Sequence, residues 1–404
     1  MSTISELFEP FNPKACDECG ECFHQCPVMQ LPLSVAQTEI RRLKEGKRSK
    51  YVLNRCTTCF ACNFFCPQNA NPCQLIISLY NQEYKEKGLP LRAKYFQPHQ
   101  MPNFRRYVVD RLPSDEKRLL EKWGDLSPTK EFCYPGCNVC TVPYLTQTSL
   151  LEDVDIRGGL SYCCGETYYR TGMLDTLQQV GKRMQNYLRT LKAKKMMILC
   201  PAGYNMFANI LPHFGMDIDL EITPLLVWLR ERIENGTIHL KRKLDLRVTI
   251  QESCYGKIFG KEYYELPRKI LEQIGIEVIE MKWSKECSLC CGIGAGFPIH
   301  SGYHPRDILL ATFRSLREAK KTRADALVVY CAGCLQMLSA GKIFYPSRMP
   351  VYHILEVIQM AIGEEPLRRQ DSRARVLSQG TLIHQFPKLL SNKRFWMEEI
   401  SPKL

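Results

Sequence analysis

The chain has 404 residues, with 55 Lys and Arg against 42 Asp and Glu, a formal net charge of +13. Its 45% hydrophobic and 24% charged content allows a buried core and excludes a mainly disordered chain. The longest apolar run, residues 324–340, is broken by Asp325 and Gln336, short of the about 20 apolar residues that a membrane span needs. The N-terminus, MSTISELFEPFNPK, has neither the basic start nor the apolar core of an export signal. Its 21 cysteines are therefore read in a reducing cytoplasm, where regularly spaced thiols point to metal or redox chemistry rather than to disulfides.

The first element in chain order is Cys16-x2-Cys19-x2-Cys22-x3-Cys26-Pro27, and the same pattern returns as Cys56-x2-Cys59-x2-Cys62-x3-Cys66-Pro67. Three thiolates on a tight loop can meet three corners of one iron-sulfur cube, while the displaced fourth, followed by Pro, reaches the other cube. Two [4Fe-4S] cubane clusters in a mainly α-helical ferredoxin domain over residues 1–83 are the reading that follows. A pair of zinc sites is the alternative, although zinc usually takes two separated pairs of ligands. Residues 39–50, basic and helix-like, carry the chain from one motif to the next, and Cys73 reads as a buried small hydrophobe. Residues 84–129 are rich in Pro, Lys and Arg with weak periodicity, and read as a linker that wraps the surface.

Two later stretches echo each other. The first, residues 130–245, runs Cys137, then Cys163-Cys164-Gly165, then the strand-like MMIL before Cys200-Pro-Ala-Gly203. The second, residues 246–365, runs Cys254, then Cys290-Cys291-Gly292, then the strand-like ALVVY before Cys331-Ala-Gly-Cys334. Amphipathic stretches at residues 168–191 and 306–320 have helical spacing, so short apolar runs alternate with helices, an α/β pattern with parallel strands. Ligands in open α/β sheets collect beyond the carboxyl ends of strands, where Cys200, Cys254 and Cys331 fall. Adjacent Cys290 and Cys291 point to opposite sides of an extended backbone and suit two irons of a larger cluster better than one ion.

The paired-cysteine pattern resembles the CCG domain of heterodisulfide reductase. Its order after a two-cluster ferredoxin module is similar to the D-type subunits of heterodisulfide reductase and their relatives, which include the catalytic subunit of a sulfite-reductase-linked membrane complex and iron-sulfur subunits of glycerol-3-phosphate and glycolate dehydrogenases. The resemblance covers about residues 10–365 and implies duplicated Rossmann-like CCG domains with a C-terminal tail at 366–404. It also implies a noncubane [4Fe-4S] cluster on the complete set Cys254, Cys290, Cys291, Cys331 and Cys334, reducing a disulfide or trisulfide with electrons relayed through the two cubanes. The first copy departs from the pattern: it has Cys137, Cys163, Cys164 and Cys200, but Gly203 stands where a fifth cysteine belongs, with Cys133 or Cys140 as substitutes. It is read as degenerate, a scaffold or a site for another metal. Zinc in both copies, with redox-active cubanes alone, is a further alternative.

Gly292-Ile-Gly-Ala-Gly296 misses the G-x-G-x-x-G spacing, since Phe297 takes the last position, so its glycines are read as admitting the backbone close to the cluster. His300 and His304 follow as candidate proton donors, against a plain role in the loop or as a helix cap; Tyr255 and Lys257 lie beside Cys254, and Cys287 has no assigned task. No flavin or nicotinamide site is expected on this chain. The basic runs KEGKRSK, FRRY, KRK and RRQDSRAR lack a recognition motif, so no nucleic acid is expected. They fit an acidic electron partner or an anionic membrane face, against a merely solvated surface. The partners expected are a membrane cytochrome b-type or quinone-reactive subunit or a soluble flavin subunit, with the chain cytoplasmic or peripheral on the cytoplasmic face. The rival reading is an electron-transfer subunit of a quinone-linked flavin dehydrogenase.

Overall fold

The computed structural model describes residues 5–403. Each N-terminal cysteine motif runs into a single helical turn, Glu21–His24 or Ala61–Phe64, entered through a left-handed residue, Gly20 (φ 80°) or Phe60 (φ 62°). For Phe60 that conformation is strained, and its ring is held between those of Phe8, Tyr169 and Tyr255. Two longer helices, Leu33–Lys44 and Pro72–Lys87, bury Ala36, Ile40 and Leu43, and Ile76, Ile77, Tyr80 and Tyr84. These spacings of three, four and seven residues mark one helix face.

Among the described residues nine short strands follow: β1 (Leu89–Pro90), β2 (Glu131–Tyr134), β3 (Lys195–Ile198), β4 (Glu221–Pro224), β5 (Arg247–Gln251), β6 (Glu277–Val278), β7 (Ala326–Val329), β8 (Val351–His353) and β9 (Arg394–Phe395). They form a parallel sheet β2-β3-β4, a parallel sheet β6-β5-β7-β8 and the antiparallel pair β1-β9. A parallel bridge from Cys133 to Ile156 flanks β2, where β6 flanks β5 in the other sheet. The expected crossover helices are Leu174–Leu191 and Pro305–Lys321. Burial is continuous: one apolar core runs from Leu7 to Ile400 through the cysteine motifs and both sheets. Among the described residues no helix is long and apolar enough to cross a membrane.

Residues 84–129 do more than wrap the surface. They form a 3-10 helix, Leu91–Phe96, and helices Phe104–Val109 and Ser114–Trp123, and they bury Tyr95, Phe96, Phe104, Arg105, Tyr107 and Trp123. The helices are too short to show a period, which hid their apolar content. The C-terminal segment is likewise docked. Its helix Gln370–Gln385 approaches Ser114–Trp123, where the fully buried Glu116 carboxylate pairs with Arg369 and Arg373, and β9 pairs with β1.

Candidate functional site

The parallel sheets place their cysteines as the sequence pattern requires. Cys137, Cys200, Cys254 and Cys331 all lie just past the carboxyl ends of β2, β3, β5 and β7. Cys254, Cys291, Cys331 and Cys334 line one cavity of about 90 Å³, and Cys200 from the other sheet lines it too. The thiols are in mutual contact. Cys254 lies against Cys290 and Cys290 against Cys291, Cys334 is shared between Cys291 and Cys331, and Cys200 lies against Cys331. The neighbouring thiols Cys290 and Cys334 pull Cys291 down to about 6, and Cys200 and Cys334 hold Cys331 well below the ordinary thiol range.

Backbone and cations complete the sulfur environment. Gly292 and Gly294 each donate an N–H to Cys290 Sγ at 3.4 Å. A Cβ on Gly294 would stand 3.0 Å from that sulfur and 2.9 Å from Thr57 Cβ, so the absent side chain is what lets the glycine-rich loop pack against the second cysteine motif. Arg170, on the short helix Glu166–Arg170, ties three modules together from a buried position. Its guanidinium donates to Thr57 O at 2.6 Å, to Thr58 Oγ1 at 3.2 Å and to Glu166 Oε1 at 2.7 Å, and lies 4.0 Å from Cys254 Sγ. Tyr255, beside Cys254, donates its hydroxyl to Glu166 at 2.8 Å, and buried Lys257 donates to Ser288 O at 2.7 Å with its charge acting on Cys254.

The N-terminal thiols sort into two groups. Burial first, then the sulfurs of Cys62, Cys66, Cys16 and Cys19, push the Cys22 thiol up, and Cys66 acts on Cys16 and Cys19 as well. Cys26 is raised to about 12, by burial and then by Cys59 and Cys62, and it acts on Cys56. Cys66 thus acts on the first three cysteines of the first motif, and Cys26 interacts with Cys56, Cys59 and Cys62 of the second, while Cys62 also acts on Cys22. Backbone N–H groups of Thr58 and Ala70 donate to Cys56 and Cys66 at 3.3 Å. Cys16 and Cys19 are partly exposed, whereas the remaining six are buried.

The first sheet's set is arranged differently. Cys163 and Cys137 share a hydrogen bond across 3.4 Å, and Cys163 neighbours Cys164, while Cys200 feels both Cys331 and Cys164. A Cβ at Gly203 already meets Ile198 at 3.2 Å and Tyr134 at 3.4 Å, leaving a fifth thiol crowded. Cys133 is buried in β2, its thiol raised by burial alone, and does not reach the group; Cys140 adjoins Cys137 and donates to Gly136 O at 3.6 Å. Cys73 is fully buried and contacts Cys62, and Cys287 is half-buried. His300 is not among the residues lining the cavity: its side chain is exposed, with Nε2 3.8 Å from Glu83. His304 accepts from Arg306 N as the cap of Pro305–Lys321.

These residues suit iron-sulfur clusters in donor type and charge. The donors are all sulfur, N–H groups point at them, and buried cations stand where anionic sulfur would otherwise be uncompensated. Among the described residues no three His, Cys, Asp or Glu side chains are arranged to hold a metal ion as they stand; the sulfurs are drawn into hydrogen-bonded contacts.

Comparison with known proteins agrees with this division. Residues 10–67 match a 4Fe-4S dicluster domain and residues 248–339 match the CCG cysteine-rich domain, and these spans hold the eight N-terminal cysteines and the five of the second sheet. The matches put a dicluster ferredoxin domain and a CCG domain in one chain, a class of iron-sulfur protein defined by those two parts. Within that class it is similar to the D subunit of the dihydromethanophenazine:CoB–CoM heterodisulfide reductase of Methanosarcina barkeri, at 24% identity over 86% of this chain and 94% of that protein. It is also 26% identical to the B subunit of the fumarate reductase (CoM/CoB) of Methanothermobacter marburgensis, over 87% of this chain and 73% of that one. The EtfAB:quinone oxidoreductase of Syntrophomonas wolfei is 24% identical, over 71% of this chain and 43% of that one.

Proposed function

We propose that the chain is the iron-sulfur catalytic subunit of a heterodisulfide reductase-like complex, in which the two sheets represent a domain duplication and only the second retains the complete catalytic set. The observation that carries this reading is the cavity lined by Cys254, Cys291, Cys331 and Cys334, joined to the ferredoxin module through Thr57, Gly294 and Arg170. Clusters bound by Cys16, Cys19, Cys22 and Cys66, by Cys56, Cys59, Cys62 and Cys26, and by Cys254, Cys290, Cys291, Cys331 and Cys334 would supply one-electron storage. The chain's own residues set the direction. Partly exposed Cys16 and Cys19 form the face open to a reduced partner, which is a cytochrome b-type, quinone-reactive or flavin protein. Thr57 and Gly294 hold the inner end against Cys290. The reaction consumes two electrons from that partner and two protons from solvent, cleaves the S–S bond of R–S–S–R′ and releases RSH and R′SH; with a trisulfide, the same two electrons cleave one of its S–S bonds.

Counting iron and zinc, recording EPR spectra with and without a thiol, and repeating both on Cys334→Ser tests the reading. The variant is expected to lose about four iron atoms, one [4Fe-4S] cluster, together with disulfide reduction, while the ferredoxin signals persist. Retention of every iron atom and of full activity would sink it. The likeness to an EtfAB:quinone oxidoreductase favours a second reading, an electron-transfer subunit of a quinone-linked flavin dehydrogenase. It predicts rapid electron exchange with a flavin partner and no cleavage of any disulfide.

A further inference from the structure

Cations in the body of the molecule have partners. Arg105 acts on the thiols of Cys137 and Cys163, Arg170 pairs with Glu166, and Arg369 and Arg373 pair with Glu116. A second set, around the C-terminal end of the helix Gln370–Gln385, does not. Arg92, Arg111, Lys388, Lys393 and Arg394 have no carboxylate within ion-pair distance among the described residues, and Lys94 reaches only Glu398, at 3.9 Å. Asp307 acts on Arg92 from farther off. The cations crowd one another: Lys94 acts on Lys388, Arg394 on Arg92, and Lys388 and Arg111 both on His384. Large apolar side chains project from the same place, the helix end and the 3-10 turn Phe386–Lys388 that follows it. Leu390 is 96% exposed, Phe386 70%, Leu382 57% and Ile383 53%, and half-exposed Trp396 lies against Gly88.

Neighbouring apolar side chains left in water mark an interaction site, and clustered cations without counter-ions repel one another. One occupant relieves both: hydrocarbon takes the apolar tip while anionic headgroups meet the cations around it, as in anchors that lie in the membrane interface. A protein partner would need a socket for a side chain as free as Leu390, whereas a bilayer needs none. A groove of about 260 Å³ opens beside the tip, between this helix, Pro305–Lys321 and Ala332–Phe344, with exposed Phe344, Leu382 and Phe386 at its rim. Its walls are apolar apart from Ser378, Thr381 and Gln385, which suits an acyl chain. We propose that this tip docks the chain directly on an anionic lipid bilayer, with Phe386 and Leu390 inserted and the surrounding Lys and Arg side chains at the headgroups. The inner wall of the groove, Phe96, Met337 and Leu377, is also a wall of the cysteine cavity, so docking holds that cavity on the membrane side of the molecule. The inference is independent of what the cavity reduces.

The test is flotation of the cluster-loaded chain with vesicles of equimolar phosphatidylcholine and phosphatidylglycerol, against vesicles of phosphatidylcholine alone. Wild type is expected to float with the first, far less with the second, and to be released from the first by molar salt. Lys393→Gln combined with Arg394→Gln is expected to weaken binding to the anionic vesicles about 10- to 30-fold, about fivefold for each charge. Phe386→Ser combined with Leu390→Ser is expected to weaken it about 10- to 100-fold. All four side chains are exposed, so the iron content and circular dichroism of both variants should match wild type. No binding to the anionic vesicles, equal binding to the two compositions, or wild-type flotation of Phe386→Ser with Leu390→Ser overturns the proposal. A wild type that fails to float but sediments as a dimer, which Phe386→Ser with Leu390→Ser converts to a monomer, assigns the face to a second copy of the chain and overturns it as well.

Discussion

Replacing Arg170 by Met tests whether one guanidinium joins the ferredoxin module to the cysteine-rich sheets. The substitution keeps the unbranched apolar stem but removes the guanidinium that lies over Phe297, and with it the donors to Thr57 O, Thr58 Oγ1 and Glu166. Hydrogen bonds from a charged donor contribute about 1.5–3 kcal/mol each, and breaking a buried ion pair costs about 3–5 kcal/mol because one charge is stranded. These losses overlap, and Glu166 keeps its bond from Tyr255, so a net loss of about 3 kcal/mol is expected. For a chain of this length the unfolding entropy converts that to a fall in Tm of about 4 °C. Glu166→Gln in the Arg170→Met background removes the stranded charge and is expected to recover about 1–2 kcal/mol. Thermal and denaturant unfolding, followed together by circular dichroism and by the visible absorbance of the clusters, measure both. If the double variant is as unstable as the sum of the two single variants, the ion pair is not what holds Arg170, and the account of this joint is wrong.

Gly294→Ala should separate the same joint by steric force, since the added Cβ enters contacts of 2.9 Å and 3.0 Å with Thr57 and Cys290; a loss of about 1–3 kcal/mol and slower reduction of the second-sheet set, seen in freeze-quench EPR, are expected. Glu116→Gln strands Arg373 and leaves Arg369 with Asp115 alone, and limited proteolysis should then release the segment after residue 365 at a rate many-fold above wild type. Burial pushes His99 and His353 down to about 4, so the unfolded chain takes up these protons first. Their stabilisation is complete above the ordinary histidine value of about 6.5 and is lost as pH falls from there toward 4, by up to about 3 kcal/mol each. His353→Asn, which can still cap its helix, should flatten the slope of Tm against pH across that window.

The architecture is legible wherever a local spacing decides it. The Cys-x2-Cys-x2-Cys-x3-Cys-Pro runs, the strand before each of Cys200 and Cys331, and the helices Leu174–Leu191 and Pro305–Lys321 all repeat within one turn or one strand, and the alternation of short apolar runs with helices of that length leaves parallel sheets as the economical packing. The glycine-rich loop is also readable, because failure of the dinucleotide spacing leaves close backbone approach as the use for its glycines, and Gly294 against Cys290 is that approach. Residues 84–129 mislead for the converse reason: three short helices with irregular aromatic content produce no period, although Tyr95, Phe96 and Trp123 are buried.

What escapes the sequence is the chemistry made between distant segments. Arg170 meets Cys254 across 84 positions and Thr57 across 113, and no spacing rule links an arginine after one paired-cysteine motif to a threonine inside another. Sequence order groups Cys200 with its own copy, yet its thiol lies against Cys331, because the carboxyl ends of β3 and β7 open on the same cavity. A single signal could draw attention to Arg105 and Arg170: each sits among aromatic residues, in FRRY and ETYYR, where a solvated arginine would have polar neighbours. The reading of His300 errs oppositely, taking nearness in sequence to the paired cysteines for nearness in space. In a chain whose sulfur ligands come from every module, the buried cations that balance them need not come from the loops that carry the sulfur, and here Arg105 and Arg170 do not.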